Sequence, residues 1–424
     1  MALIPNGDVG YNIYGAYEIG ITGVGSVVGN DGGVYPIYGA VLGFYAGSTG
    51  TVTLSNNTQI DIGAYGLIVG LGGRGTATIG GGSVVNSSGG YHSVKIGENA
   101  GSVGTLTVTG AGSELNAIGI DNAIQVGRNG GTGTLNVLAG GLATTLNLYA
   151  GRNGNGTVNV SGANSRLVVS NDNGNGTYLP NYAGFAQFGK EAGARGTLNV
   201  TSGGVFEVRD SGTQVHPVLR FGRDLGSTGI GVVDGVGSQI IISQASPGGN
   251  GRFLQIGVNG DGTLTVRNGG AVNLVGDLAT LLVSDGSDVG LGAPTALLPQ
   301  SELIIQTGGV VTVNDTGLGF DTVTVGNQQF SNGAIRISGA GSKLVSIGTN
   351  DEFVIGNYGI GLLTIATGGE VIGRRMFAGY HAGSTGTVQI SGAGSKLTLA
   401  SSDAYAGSRF TVGASAANRA IERS

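Results

Sequence analysis

Apolar and polar residues alternate along most of this chain in short runs, as in Leu106-Thr107-Val108, Leu135-Asn136-Val137, Val158-Asn159-Val160 and Leu264-Thr265-Val266. A period of two puts successive side chains on opposite faces of an extended backbone, whereas a helix repeats its apolar positions every 3.6 residues. The runs are about four to six residues long, rich in Val, Ile, Leu and Thr, and they end in clusters of Gly, Asn and Ser, which favour tight turns. No segment repeats at helical spacing. The pattern predicts an all-β chain of many short strands, with the Leu and Val of each run, such as Leu135, Val137, Leu198 and Val200, facing inward.

The runs are copies of one phrase. An apolar pair ends in a glycine, a few polar or Gly residues follow, and Gly-Thr then opens the alternating strand. Thus Val126-Gly127 leads to Gly133-Thr134-Leu135-Asn136-Val137, and Ile256-Gly257 leads to Gly262-Thr263-Leu264-Thr265-Val266. The anchoring glycine is read at Gly20, Gly47, Gly70, Gly97, Gly127, Gly151, Gly189, Gly222, Gly257, Gly326, Gly356, Gly379 and Gly413, with Ser284 in its place once. Two kinds of turn follow the strand and largely alternate: Gly-Gly, as at Gly140-Gly141 and Gly203-Gly204, and Ser-Gly-Ala-Gly-Ser, as at 338–342 and 391–395.

A unit of this size cannot bury a face alone, and self-similarity overrides length as a guide to domain count. The reading is a parallel β-helix (solenoid), continuous over residues 17–413, with roughly fourteen coils and a length on the order of 65 Å at ~4.8 Å per coil. A cap region precedes it over 1–16 and a tail follows over 414–424. The tyrosines concentrated near the N-terminus (Tyr11, Tyr14, Tyr17, Tyr35, Tyr38, Tyr45 and Tyr65) are expected to cover the open end of the stack, the alternative being a stacking interface between rods. Long insertions at 171–185, 208–218 and 243–251 are expected to leave one side of the rod, and a fourth, 284–300, follows the anchor position.

Composition sharpens this picture. Gly is 89 of 424 residues, against roughly 7% in ordinary proteins, yet it has no three-residue period and Pro is only 7, which excludes collagen. With 40% hydrophobic and 11% charged residues the chain can bury a core. A balance of 20 Lys+Arg against 25 Asp+Glu, net −5, offers no basic field for a nucleic acid. Zero Cys excludes disulfides, thiolate metal sites and thiol catalysis, and suits a chain that crosses a membrane unfolded. No run approaches the ~18 apolar residues of a spanning helix, and the first residues lack a signal peptide, so an exported form is expected to have had one removed.

The apolar-Gly anchor, the Gly-Thr-Leu-x-Val strand and the Gly-Ala-Gly-Ser turn resemble the β-helical repeats of passenger domains of bacterial type V autotransporters and of related exported proteins with sorting signals. The resemblance covers nearly the whole chain. It implies a secreted or cell-surface stalk delivered through the outer membrane and acting in adhesion, aggregation, biofilm contact or virulence. Residues after Gly413 lack the alternating strands of a translocator barrel, so the expectation is either an excised passenger or another delivery route.

Candidate chemistry is sparse, and the chain is read as no enzyme, with no cofactor and no metal. His92, His216 and His381 share no ligand spacing. Asp351-Glu352, Glu191, Asp285 and Asp288 share no register that would converge two carboxylates, which weighs against the alternative of a β-helix polysaccharide hydrolase or lyase. Two stacked columns stand out. The residue after the anchor reads Glu98, Arg128, Arg152, Lys190, Arg223 in successive coils, and the last four are the candidate binding residues, a basic stripe for anionic host or bacterial surface glycans or for self-association. The outward positions of the Gly-Thr strand read Thr51/Thr53, Thr76/Thr78, Thr105/Thr107, Thr134/Asn136, Thr157/Asn159, Thr197/Asn199 and Thr263/Thr265, a ladder that keeps an ice-binding solenoid as a second alternative.

Overall fold

The computed structural model describes residues 2–4, 18–21, 24–29, 34–88, 94–117, 123–170, 184–210, 217–244, 254–286, 296–315, 322–348, 351–400 and 409–413. Most coils carry three strands. In a representative coil the anchor strand Ala123–Val126 turns at Gly127 into the Gly-Thr strand Thr132–Leu138, which turns again into a third strand, Leu142–Thr145; the next anchor strand, Asn147–Ala150, follows at once. Equivalent strands pair in parallel from coil to coil. The Gly-Thr strands form a 13-stranded sheet, and the anchor and third strands form a 26-stranded one. The latter is continuous because Val34–Leu42 and Gln59–Val69 each run across both faces. This is the all-β parallel solenoid that the alternation predicts.

Inward side chains stack into one core along the rod. Leu135, Val137, Leu198 and Val200 are fully buried, as the period-two pattern requires. Where the stack widens, it compensates across coils. Phe188 lies on Phe221 with ring centroids 5.3 Å apart. Opposite them Gly231 occupies the position that Leu198 and Leu264 hold in neighbouring coils. A β-carbon at Gly231 would stand 2.7 Å from the Phe221 ring, so this glycine makes room for the phenylalanine.

The repeated glycines are explained by how closely the coils approach. Gly127 has φ +70, and a β-carbon there would overlap the carbonyl of Asn155 in the next coil; one on Gly133 would overlap the carbonyl of Ile96 in the coil before. Ser284 replaces the first of these glycines at φ +58, and its hydroxyl accepts the Asn332 N–H at 2.8 Å. In that same coil Ser301 replaces the second and accepts the Gly262 N–H at 3.2 Å. The register corrects two anchors. Leu42 pairs with Val69, so the anchor of that coil is Gly43 and not Gly47; Ile21 pairs with Leu42, so Gly20 lies inside a strand.

The two kinds of turn prove complementary. After the Gly-Thr strand, narrow corners such as 139–141 and 202–204 alternate with wide ones such as 162–165 and 235–238. Most wide corners end in a serine that reaches back one coil, buried in all but the last coil. Ser113, Ser165, Ser238, Ser342 and Ser395 accept the N–H of Gly82, Gly140, Gly203, Gly308 and Gly368 at 2.9–3.1 Å. At Gly140, Gly203, Gly308 and Gly368 the backbone amide that a narrow corner leaves over is thus satisfied by the wide corner stacked on it, whereas Gly82 belongs to another wide corner, 80–83. Narrow corners also hold Ala139, Ser202, Asn268, Thr307 and Thr367 at positive φ.

At the N-terminal end, strand Ala2–Ile4 pairs with Ile19–Ile21, so the anchor sheet begins inside the expected cap region. Tyr11, Tyr14 and Tyr17 lie outside the described residues, while Tyr45 and Tyr65 are exposed. The tips of the expected insertions also lie outside them, but their attachment points are described. Ser170, Arg209 and Ser243 stack in one row, and Phe185 stacks on Val218, so three insertions leave from the same corner. Val208, placed in an insertion by the sequence reading, is a buried strand residue. In the last coil the inward-row residues Ile390, Phe410 and Val412 are exposed.

Candidate functional site: the corner after the anchor strand

At the corner that follows each anchoring glycine the residue after the glycine stacks from coil to coil into a row, in which Val258 and Asp285 are buried and most of the others reach solvent. Its geometry comes from the backbone: the N–H of Glu98, Arg128, Arg152, Lys190 and Arg223 each donates to the anchor-glycine carbonyl of the coil before, and Asn327, Asn357 and Tyr380 continue the row. The four candidate binding residues Arg128, Arg152, Lys190 and Arg223 are therefore brought together in one column, as the repeat predicts.

The column is not a bare basic stripe. Arg128 donates to Glu98 at 2.7 Å, Arg152 to Glu191 at 3.2 Å and Arg223 to Asp224 at 3.0 Å, while the Lys190 ammonium stands 3.9 Å from Glu191. Stacking supplies two of these partners, Glu98 for Arg128 and Glu191 for Arg152, while Asp224 is the sequence neighbour of Arg223 and Glu191 that of Lys190. Tyr149, on the adjoining anchor strand, lies beneath Arg152 and Lys190, with its ring centroid 5.7 and 5.4 Å from the two cations. Burial pushes the Tyr149 hydroxyl above its ordinary value against the opposing pull of Arg152. Burial, with the neighbouring Arg152, holds the Lys190 ammonium below its own.

Toward the C-terminal end the same corner changes chemistry. Asp285, fully buried, accepts from Gln255 at 2.5 Å and from Asn327 at 2.6 Å, and Asn357 donates to Asn327 at 2.8 Å. Above this amide ladder stands an aromatic cluster: Tyr358 and His381 are stacked at 3.9 Å and 10°, and Tyr380 meets both His381 and Phe377 edge-on at 4.7 and 5.1 Å. The sequence gives His381 no ligand spacing and does not single out Tyr358, Tyr380 or Asn357. Each falls at a repeat position that is visible once the coils are aligned. His92 and His216 lie outside the described residues.

The remaining candidates are engaged elsewhere. Glu191 and Glu352 are ion-paired, the latter with Arg375 at 3.3 Å, Asp351 and Asp285 are buried, and Asp288 lies outside the described residues. On the Gly-Thr face Asn199 donates to Asn159, Asn159 to Asn136 and Asn136 to Thr107 at 2.8–3.2 Å, so much of the outward ladder bonds to itself. Among the described residues no group of three or more His, Cys, Asp or Glu could hold a metal ion, and no helix is long and apolar enough to cross a membrane.

No family model matches the chain. It is 27% identical over 316 residues to the uncharacterized lipoprotein YdeK of Escherichia coli (strain K12), a match covering 63% of this chain and 23% of that protein, so the chain spans about a quarter of the relative's length. Among solved structures it is similar to a TibC-catalyzed hyper-glycosylated TibA fragment, with 15% identity and a TM-score of 0.31 over 94% of this chain and all of that one.

Proposed function

We propose that this chain is a rigid β-helical rod of an exported, autotransporter-like surface protein, a structural and adhesive module with no enzymatic role. The observation that carries the reading is the unbroken parallel register of three strand faces around one core, with outward polar groups spent largely on neighbouring coils. Such a rod resists bending and presents long rows of side chains to a flat partner. Similarity to a curated lipoprotein and the absence of cysteine support an exported setting. Val236, at the tip of a wide corner and 85% exposed, is a suitable site for an epitope tag. Antibody labelling of intact cells should detect that tag, and deleting the rod should lower surface attachment or cell aggregation. A tag reached only after permeabilisation, or release of reducing ends from a polysaccharide panel by the purified chain, would overturn the reading.

A further inference from the structure

We propose that the aromatic stretch of the anchor corner, built by Gln328, Asn357, Tyr358, Tyr380 and His381, is a binding site for a short neutral oligosaccharide. The inference rests on the display reading above and assigns it a place and a ligand class.

Unused hydrogen-bonding capacity is the first argument. In the charged stretch each arginine is already held by a carboxylate. Here the Gln328 amide, the Asn357 carbonyl oxygen and the Tyr358 and Tyr380 hydroxyls have no protein partner among the described residues, and all four side chains reach solvent. Polar groups left open beside aromatic rings suit a ligand that combines hydroxyls with C–H faces.

Preorganisation is the second. Asn357 is fixed from below by Asn327, and Asn327 in turn by the buried Asp285, so the amide at the open end of the ladder is already oriented. The Tyr358 ring is fixed against His381. Little side-chain entropy remains to be lost on binding.

Size and charge are the third. The patch spans three coils, about 10–15 Å along the rod at ~4.8 Å per coil, which matches two or three sugar rings. It is too small for the roughly 800 Å² that each partner buries in a stable protein interface. Its free polar groups carry no carboxylate and no lysine or arginine, which selects a neutral ligand over an anionic one.

Binding of cellohexaose, maltohexaose, laminarihexaose and chitohexaose to the folded chain, followed by calorimetry and by NMR shifts, tests this. At least one is expected to bind, with affinity unchanged between 50 mM and 500 mM NaCl. Tyr358→Ala and Gln328→Ala should each weaken it tenfold or more without lowering Tm, while Arg152→Ala leaves it intact. Failure of all four sugars, loss of binding on Arg152→Ala, or a dimer in light scattering that Tyr358→Ala dissolves would each overturn the proposal. If the sugars fail while the tag at Val236 still labels intact cells, the display reading stands without this site.

Discussion

The anchor corner runs the length of the rod on one backbone template, yet its two stretches behave as different materials. Between Glu98 and Asp224 the side chains are charged and satisfied by one another, across coils at Arg128 and Arg152 and within one coil at Arg223. Between Asn327 and His381 they are amides and rings, and several of their polar groups have no partner among the described residues. A repeat thus fixes where side chains stand but not what they do, because partners come from the coils above and below. Charged rows at one-coil spacing must be interleaved with opposite charge or pay in repulsion. Neutral rows carry no such demand.

That contrast can be broken most forcefully at the template itself. Gly127 and Gly356 have φ +70 and +74, and a β-carbon on either would overlap the carbonyl of the next coil. Replacing either with valine should therefore cost about 3 kcal/mol or more. Hydrogen exchange of the flanking coils should show similar local loss in both stretches; a large effect at one and none at the other would mean that the stretches do not share a corner.

A smaller effect separates the stretches. Glu98 is nearly buried and bonded to Arg128, so Glu98→Gln should lower stability by about 1 kcal/mol. Tyr358 is 46% exposed, and Tyr358→Ala should stay within about 0.5 kcal/mol of the parent. Urea unfolding monitored near each site can compare the two, and equal losses would erase the distinction between a self-satisfied stretch and an open one.

The smallest expected effect is titration. Burial raises the Tyr149 hydroxyl above 10.0, so its contribution to stability is complete below pH 10 and is lost as pH climbs through the higher folded value. Lys190 is lowered from 10.5; the unfolded chain keeps that proton longer, and this group makes stability rise with pH as far as about its unfolded value. Tyr149→Phe should therefore soften the fall in Tm above pH 10 while leaving the Lys190 contribution in place. An unchanged alkaline profile would argue against a buried hydroxyl beneath the two cations.

Much of this architecture was legible in residue alternation. The inward rows at Leu135, Val137, Leu198 and Val200 followed from period two alone, and the Arg128 to Arg223 column from counting forward of the anchor. Anchor positions failed at Gly20 and Gly47, where a glycine-rich stretch offers several equivalent choices and only the pairing of Leu42 with Val69 decides among them. Gly231 could not be read either, because its reason is the Phe221 ring one strand away. The pairing of Arg152 with Glu191 joins residues from successive coils across an insertion of variable length. The amide and aromatic stretch was missed because its residue types change at each coil, so no single motif marks it.

The serine that closes most wide corners has a genealogical consequence. Because Ser165 serves Gly140 and Ser238 serves Gly203, the smallest self-sufficient unit here is a pair of coils, one donor and one acceptor. Duplication or loss of a pair conserves every such bond, whereas a single coil gained or lost brings two like corners together. The one such junction in the C-terminal half, where the narrow corners 268–270 and 307–309 are neighbours, carries a substitute: the Thr307 hydroxyl accepts the Asn268 N–H at 3.2 Å. The alternating part of the rod should lengthen and shorten in even steps, whereas nearer the N-terminus the successive wide corners 55–58, 80–83 and 110–113 are already linked one to the next through Ser83 and Ser113 and carry no such restriction.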